Sequence, residues 1–303
     1  MLADLHLHSV FSDGAHTPLE LAKRCKEAGL QMFSLTDHDN MGGCTEAREA
    51  AIEFGLHFLH GWEVSSYENA TKVHILGYGC HENEAYHAFI EGRRKGSVIR
   101  AKDMIKKANA YFGTNVSFEE VEAFHLRKFA PLHTMHVVKA FAQRLSMKRG
   151  EVYVRYFARG GPAFSEECRP TPEDAVEIIH KTGGIAVLAH PGRILDLSEE
   201  DLARFRASQD EDERAVLKKK SAIAREGLMD RLTDLGLDGI ECIYTTHTFK
   251  ETEYFLAYAK RRGLIVTGGS DFHAEGAQNV IGMPTFDMCE AVAKRLLRLE
   301  GSA

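Results

Sequence analysis

The chain has 303 residues, 38 basic and 44 acidic side chains and a formal net charge of -6, which leaves room for one large or two modest domains. With 44% apolar and 27% charged residues it has the balance of an ordinary globular protein. Its longest apolar run, around Ile185–Ala189, is too short to cross a bilayer, Met1–Asp4 has neither the basic region nor the apolar core of a signal, and no basic stripe suits long nucleic acid, so a cytoplasmic protein is expected.

From the N-terminus, residues 2–8 (LADLHLH) alternate with period two, Leu5 and Leu7 facing one way and Asp4, His6 and His8 the other. Thr17-Pro18-Leu19-Glu20 opens a helix, with Thr17 as cap, Pro18 in the first turn and Glu20 completing a capping box; Gly29 ends it. A strand from Met32 to Thr36 runs into Asp37-His38-Asp39, a helix covers roughly 43–54, and strands follow near 57–65 and 72–79. Residues 82–170 break this rhythm. They are helix-rich and locally basic (Arg93-Arg94-Lys95, Lys106-Lys107) and read as an inserted helical cap subdomain. The alternation resumes at Thr171-Pro172-Glu173-Asp174 and passes through Gly183-Gly184 into a strand, Ile185–Ala189, that ends in His190-Pro191. A charged helical segment over about 199–235 precedes a strand at 239–244; within it Gln209–Lys220 reads as a solvated face or the lead into a helix. A helix at 251–262 stops at Gly263, and a strand from Leu264 to Thr267 leads to Gly268-Gly269-Ser270-Asp271-Phe272-His273. Repeated β-then-α units predict an α/β fold, a parallel sheet or barrel with helices outside, built from residues 1–81 and 171–303.

Histidine is over-used: there are 16, nine of them in the first 90 residues. His6 and His8, Asp37-His38, Glu63, His190 and the Asp271/His273 pair all fall at downstream ends of predicted strands, and His74 lies within the fourth strand. In an α/β barrel such ends converge on one face. A His-x-His on a strand turns both imidazoles to one side, as two ligands of one metal must. Alone it fits two polar residues on a wet strand face equally well; the other strand ends in the same register favour metal. The six cysteines (Cys25, Cys44, Cys80, Cys168, Cys242, Cys289) form no C-x-x-C pair, against a thiolate cage or a disulfide framework, and read as reduced, mostly buried thiols. Trp62 reads as core, and His16, His57, His60, His81, His87, His125, His133 and His180 as surface or packed histidines.

The stretch D4-L-H6-L-H8-S-x-x-S-D13-G14 followed by L35-T36-D37-H38-D39 resembles the start of the polymerase and histidinol phosphatase (PHP) domain. Glu63, His74, Leu188-Ala189-His190-Pro191 and Gly269-Ser270-Asp271-Phe272-His273 match its later motifs in order, over about 1–80 and 171–275. The resemblance implies a distorted seven-stranded β/α barrel with up to three divalent metal ions. It implies His6, His8, Glu63 and Asp271 around the first, Asp13, His38 and the shared Glu63 around the second, and His74, His190 and His273 around the third. Imidazoles and carboxylates without thiolate suit Mn, Fe or Zn. Three dications against three carboxylates leave the site positive within an acidic chain, suited to a small phosphorylated substrate.

The expected chemistry is hydrolysis of phosphate esters of small nucleotides (an AMP-like monoester, a 3',5'-bisphosphate or a cyclic diester) by a metal-bridging hydroxide. Arg193 is a candidate fork for the phosphate, against a plain surface arginine. Asp37 either orients the neighbouring ligands or transfers a proton. His136, with His133 as rival, is a candidate substrate contact, although Thr134 stands where nucleotide-acting relatives often carry Arg. His247 is placed by the resemblance near the leaving group, as a catalytic or substrate-binding residue. Histidinol-phosphate phosphatase and 5'-to-3' degradation of short RNA are the rival activities, and a non-enzymatic PHP module is the rival of another class. No obligate protein partner is indicated.

Overall fold

Strand β1 (Leu2–Leu7) forms where the sequence alternates, yet every residue after Leu2 is buried, so both of its faces are covered. The structure, a computed structural model, describes residues 1–68, 71–125, 131–165, 170–275 and 279–300. Cys168 lies outside them. After β1 come α1 (Pro18–Glu27), β2 (Met32–Leu35), α2 (Cys44–Phe54), β3 (His57–Glu68) and β4 (Thr71–Tyr78). Helices α3 (Glu84–Phe112), α4 (Phe118–Glu122), α5 (Thr134–Leu145) and α6 (Arg149–Val152) follow, with a π-helical turn at Tyr153–Phe157. The chain continues with α7 (Pro172–Lys181), β5 (Ile185–Leu188), a 3-10 turn at Pro191–Arg193, α8 (Glu199–Ala207) and α9 (Glu211–Asp234). It ends with β6 (Gly239–Tyr244), α10 (Phe249–Arg262), β7 (Ile265–Gly269), β8 (Phe286–Asp287) and α11 (Glu290–Glu300).

Local chemistry explains the helix starts. Thr17, Thr171 and Thr248 each close a reciprocal capping box with the acid three residues on, satisfying donors that a helix N-terminus leaves free. The charged segment at 199–235 is two helices, because Asp210 leaves the helical path and its side chain accepts from the Asp212 and Glu213 N–H groups to start α9.

The strands run in the order β7-β6-β5-β4-β3-β2-β1-β8. β7 returns to β1 beyond the strand ends, where Asp271 N donates to His6 O at 2.8 Å and His8 N to Phe272 O at 3.0 Å, so the sheet curls into a nearly closed barrel. Gly269 permits the approach: a Cβ there would stand 2.4 Å from that of His6. The expectation of a parallel barrel needs one correction. β4 runs antiparallel to both β3 and β5, since the chain turns straight back after Glu68 with no crossover helix. β8, a short antiparallel strand on β1, and α11 had no counterpart in the sequence reading. Ala293 and Leu296 of α11 pack with Leu5, Met32, Leu76, Val187 and Ile265 in one apolar core.

The chain divides into two compact units, Met1–Tyr86 with Pro170–Ala303, and His87–Arg169. The second has its own core, in which Met104, Ala108, Val121, Val137, Phe141 and Phe157 are buried together. Cys25, Cys44, Cys80 and Cys242 are buried and Cys289 is exposed. Among the described residues no helix is long and apolar enough to cross a membrane.

Candidate metal centre

The period-two alternation of β1 puts His6 and His8 on one side of the strand, and both side chains are fully buried. Glu63 and Asp271 meet them. Glu63 Oε2 lies 3.4 Å from His6 Nε2 and 3.3 Å from His8 Nε2, and Asp271 Oδ1 lies 3.4 and 3.1 Å from the same two nitrogens. Four ligand-type atoms from β1, β3 and the segment after β7 therefore surround one point.

Two flanking groups extend this cluster. On one side Asp13 stands 3.8 Å from His8 Nδ1, 3.8 Å from His38 Nε2 and 3.2 Å from His273 Nε2, with the His8 and His273 rings stacked at 4.2 Å. On the other, Glu63 Oε1 lies 2.5 Å from His74 Nδ1 and 3.1 Å from His190 Nε2. His38 lies between Asp13 and Glu63, its Nδ1 2.9 Å from Glu63 Oε2, as the resemblance implies, and the difference from that division lies with His273. His273 joins Asp13 and His38 because it sits two residues beyond Asp271, beside β1, while His74 and His190 face Glu63 from β4 and from the end of β5. His74 reaches this end of the barrel because β4 is antiparallel and begins there. His38 is held at Glu63 by a continuation of the β2–β3 pairing, Asp39 N to Glu63 O at 2.9 Å and Glu63 N to Asp37 O at 3.2 Å.

The donor set fits divalent cations. His6 Nε2, His8 Nε2, His38 Nδ1, Glu63 Oε2, both nitrogens of His74 and His190 Nδ1 are buried and make no well-directed hydrogen bond, only close contacts among themselves. Buried polar atoms are nearly always paired, and so many unpaired lone pairs converging on a few points are what metal ligation requires. Electrostatics agree. Burial pushes the Glu63 carboxyl up, but the imidazoles of His74, His38 and His6 outweigh it and hold it well below the usual carboxylate range. Asp271 behaves alike against its burial, through His6 and His8, and Asp13, although its side chain is exposed, is lowered by His273, His38 and His8, which outweigh the partial desolvation of its carboxylate. Burial opposes the charge on His8, yet Asp271 and Glu63 raise it to about 10; at His74 burial wins over Glu63 and lowers it to about 3. Buried carboxylates are kept ionised here, which is the state in which they bind a cation.

The other candidates fall around this centre. Asp37 is buried and accepts from Ser9 N at 2.8 Å, Ser9 Oγ at 2.6 Å and Ser12 Oγ at 2.6 Å. Both its oxygens accept hydrogen bonds from the segment that carries His8 and Asp13. His247 donates from Nδ1 to Cys242 O at 3.0 Å and accepts at Nε2 from Gly192 N at 3.0 Å, so its ring ties the 3-10 turn after His190 to β6. Burial lowers its proton affinity, in keeping with a neutral ring. Arg193, on that turn, places Nη1 at 2.8 Å from Tyr244 Oη and 3.2 Å from Asp271 Oδ2. His136 lies in the second unit at the start of α5, where its Nδ1 accepts from His133 N at 3.0 Å.

Three residues escaped the sequence reading. Tyr244 donates to Asp271 Oδ2 at 2.8 Å. Glu241, fully buried on β6, accepts from His6 Nδ1 at 3.0 Å and from His190 N at 2.7 Å. Its only signal in the sequence is a carboxylate in the middle of the apolar run Gly239–Tyr244. Lys72 at the start of β4 lines, with Arg193, Ile194 and the ligand-type residues, a cleft of about 320 Å3.

The family model described as the PHP domain matches residues 4–121. The chain is 34% identical to a 3',5'-nucleoside bisphosphate phosphatase of Chromobacterium violaceum, over 90% of this chain and 87% of that one. It is 30% identical to a phosphoribosyl 1,2-cyclic phosphate 1,2-diphosphodiesterase of Eggerthella lenta, over 91% and 95%. Among solved structures, an amidohydrolase from Chromobacterium violaceum with bound sulfate and no metal superposes with a TM-score of 0.70 at 29% identity, covering 98% of this chain and 96% of that one.

Proposed function

This chain belongs to the PHP domain family, and we propose that it is a metal-dependent hydrolase of phosphate esters on small nucleotides, removing one phosphate of a bisphosphate or opening a cyclic diester. The observation that carries this reading is the set of buried, unpaired imidazole and carboxylate atoms gathered around Glu63 at the floor of the cleft. His6, His8, Glu63 and Asp271 would hold one divalent ion, Glu63 with His74 and His190 a second, and Asp13, His38 and His273 a third. Divalent ions bound there supply Lewis acidity and lower the pKa of coordinated water.

The chain's own groups do the rest. Arg193 offers a forked guanidinium to phosphoryl oxygens, and its partly exposed side chain already borders the cleft. Lys72 adds a second cation at the cleft wall, in the position to meet a further anionic group of the substrate. Tyr244 keeps Asp271 oriented, with Oδ2 occupied and Oδ1 toward His6 and His8. His247 anchors the turn that carries Arg193.

The test is phosphate release by manganese-loaded protein on AMP, 3'-AMP, adenosine 3',5'-bisphosphate, cyclic nucleotides, short RNA and histidinol phosphate, with bound metal counted in parallel. A nucleotide preferred over histidinol phosphate and RNA supports the proposal. Preference for either of those moves the substrate class and leaves the metal centre standing, and silence with metal bound refutes the substrate class altogether.

A further inference from the structure

We propose that Glu241 is a positioning residue that fixes two ligands of the candidate centre at once, the proton on one and the backbone of the other. The inference rests on the metal-centre reading above. Glu241 sits on β6, whose neighbours Ile240 and Cys242 point to the other side, and it is fully buried in the barrel. A carboxylate only accepts, so its Oε1, 3.0 Å from His6 Nδ1, requires the proton of that ring on Nδ1. That leaves the Nε2 lone pair of His6 facing Glu63 and Asp271, as a ligand must.

The second oxygen acts on a different residue. Oε2 accepts from the backbone N of His190 at 2.7 Å. His190 adopts φ +27 and ψ 59, a left-handed conformation that an L side chain rarely takes and that a following proline further disfavours. Such a conformation costs about 1–3 kcal/mol and persists only where surrounding bonds over-determine it. The Glu241 bond is one of those constraints, and it acts on the residue that presents Nε2 to Glu63 at 3.1 Å. The rings of His6 and His190 also stack at 5.6 Å, so one buried carboxylate ties together two ligands from opposite sides of Glu63.

Both partners donate, and glutamine is therefore not a substitute. Its oxygen would serve one donor, and its NH2 would confront the other at a fully buried position. Glu241→Gln is expected to weaken the tightest Mn2+ or Zn2+ binding by about 10–100-fold, as loss of a ligand-orienting partner does elsewhere. Isothermal titration of the full-length, metal-stripped protein reads the affinity, and elemental analysis after dialysis reads the ion count. The melting temperature of the stripped protein reads the cost of the mispaired donor alone, and a gap between wild type and variant that widens on adding Mn2+ separates positioning of the ligands from a general structural role. Unchanged affinity and ion count in Glu241→Gln would overturn the proposal. Should that variant fail to fold, the zinc-loaded wild-type protein decides. A downfield imidazole proton on His6 Nδ1, assigned by its disappearance in His6→Asn, supports the proposal, whereas zinc on Nδ1 with the proton on Nε2 overturns it. None of these readings uses a substrate, so a failed nucleotide assignment and a failed role for Glu241 give different results.

Discussion

Replacing Gly192 by alanine tests whether the 3-10 turn after His190 depends on contact with His247. A Cβ at position 192 would stand 2.5 Å from His247 Cδ2 and 2.8 Å from its Nε2. The ring cannot simply tilt away. It is tied at Nδ1 to Cys242 O and at Nε2 to Gly192 N, each at 3.0 Å, and it packs on Phe255 at a ring separation of 4.9 Å. Making room breaks both hydrogen bonds, about 0.5–1.5 kcal/mol each, with some lost packing besides, so Gly192→Ala should cost about 2–3 kcal/mol. For a unit of this size that lowers the melting midpoint by about 4–12 °C. Arg193 is the last residue of the turn, so kcat/KM for phosphate release should fall as well. The decisive assay is a double-mutant cycle by thermal denaturation. Gly192→Ala combined with His247→Ala removes the ring that the methyl strikes and should be no less stable than His247→Ala alone, a coupling of about 1–3 kcal/mol. Strict additivity, or a Gly192→Ala protein as stable as the wild type, would refute the steric argument.

Glu63→Gln keeps the shape and removes the charge of the carboxylate nearest five imidazoles; bound divalent metal and phosphate release should both drop at least about 100-fold while circular dichroism stays native, and full turnover would sink the shared-ligand arrangement. Asp37→Asn still offers an oxygen to Ser9 or Ser12, so turnover should fall by less than about tenfold; a loss in the 10²–10⁴ range of a missing general base would instead assign Asp37 to proton transfer. Burial first, then the charges of His133, His125 and Lys139, lower the pKa of His136 from its ordinary 6.5 to about 4. The unfolded chain therefore binds this proton more readily than the folded one, and stability should decline as pH falls from about 6.5 to about 4. Thermal melts across that window should show a shallower decline in His136→Gln, and an identical slope would remove His136 from the explanation.

What the sequence made legible was mostly local. The alternation around His6 and His8, the capping boxes at Thr17 and Thr171 and the glycine stops depend on residues within a turn or two of each other, and the structure has them in place. The antiparallel course of β4 was not legible, because a tight return after Glu68 and a crossover look alike when strands are recognised one at a time. The neighbours of His273 were not legible for a related reason. Whether His273 meets His74 or Asp13 is settled by β7 closing onto β1, a contact between residues some 265 positions apart, and only that closure sets His273 against Asp13. Glu241 and Tyr244 had a weak signal, polar groups inside an apolar strand, whose partners His6, His190 and Asp271 lie on other elements.

The described residues contain four non-glycine positions with positive φ: Asp39, Ser146, His190 and Asp271. Ser146 merely ends α5, where a left-handed cap is ordinary. The other three belong to the candidate centre, each just beyond a strand, and each is held by bonds from another element. Asp39 Oδ1 accepts from Ser65 N at 2.8 Å, His190 N donates to Glu241, and Asp271 is clasped by its N–H to His6 O and by Asn279 Nδ2 on its carbonyl at 2.7 Å. At about 1–3 kcal/mol apiece this strain is comparable with the whole effect of a severe core mutation. The barrel thus supplies the rigidity, and the residues that bend against their preference supply the convergence, of imidazoles and carboxylates on Glu63.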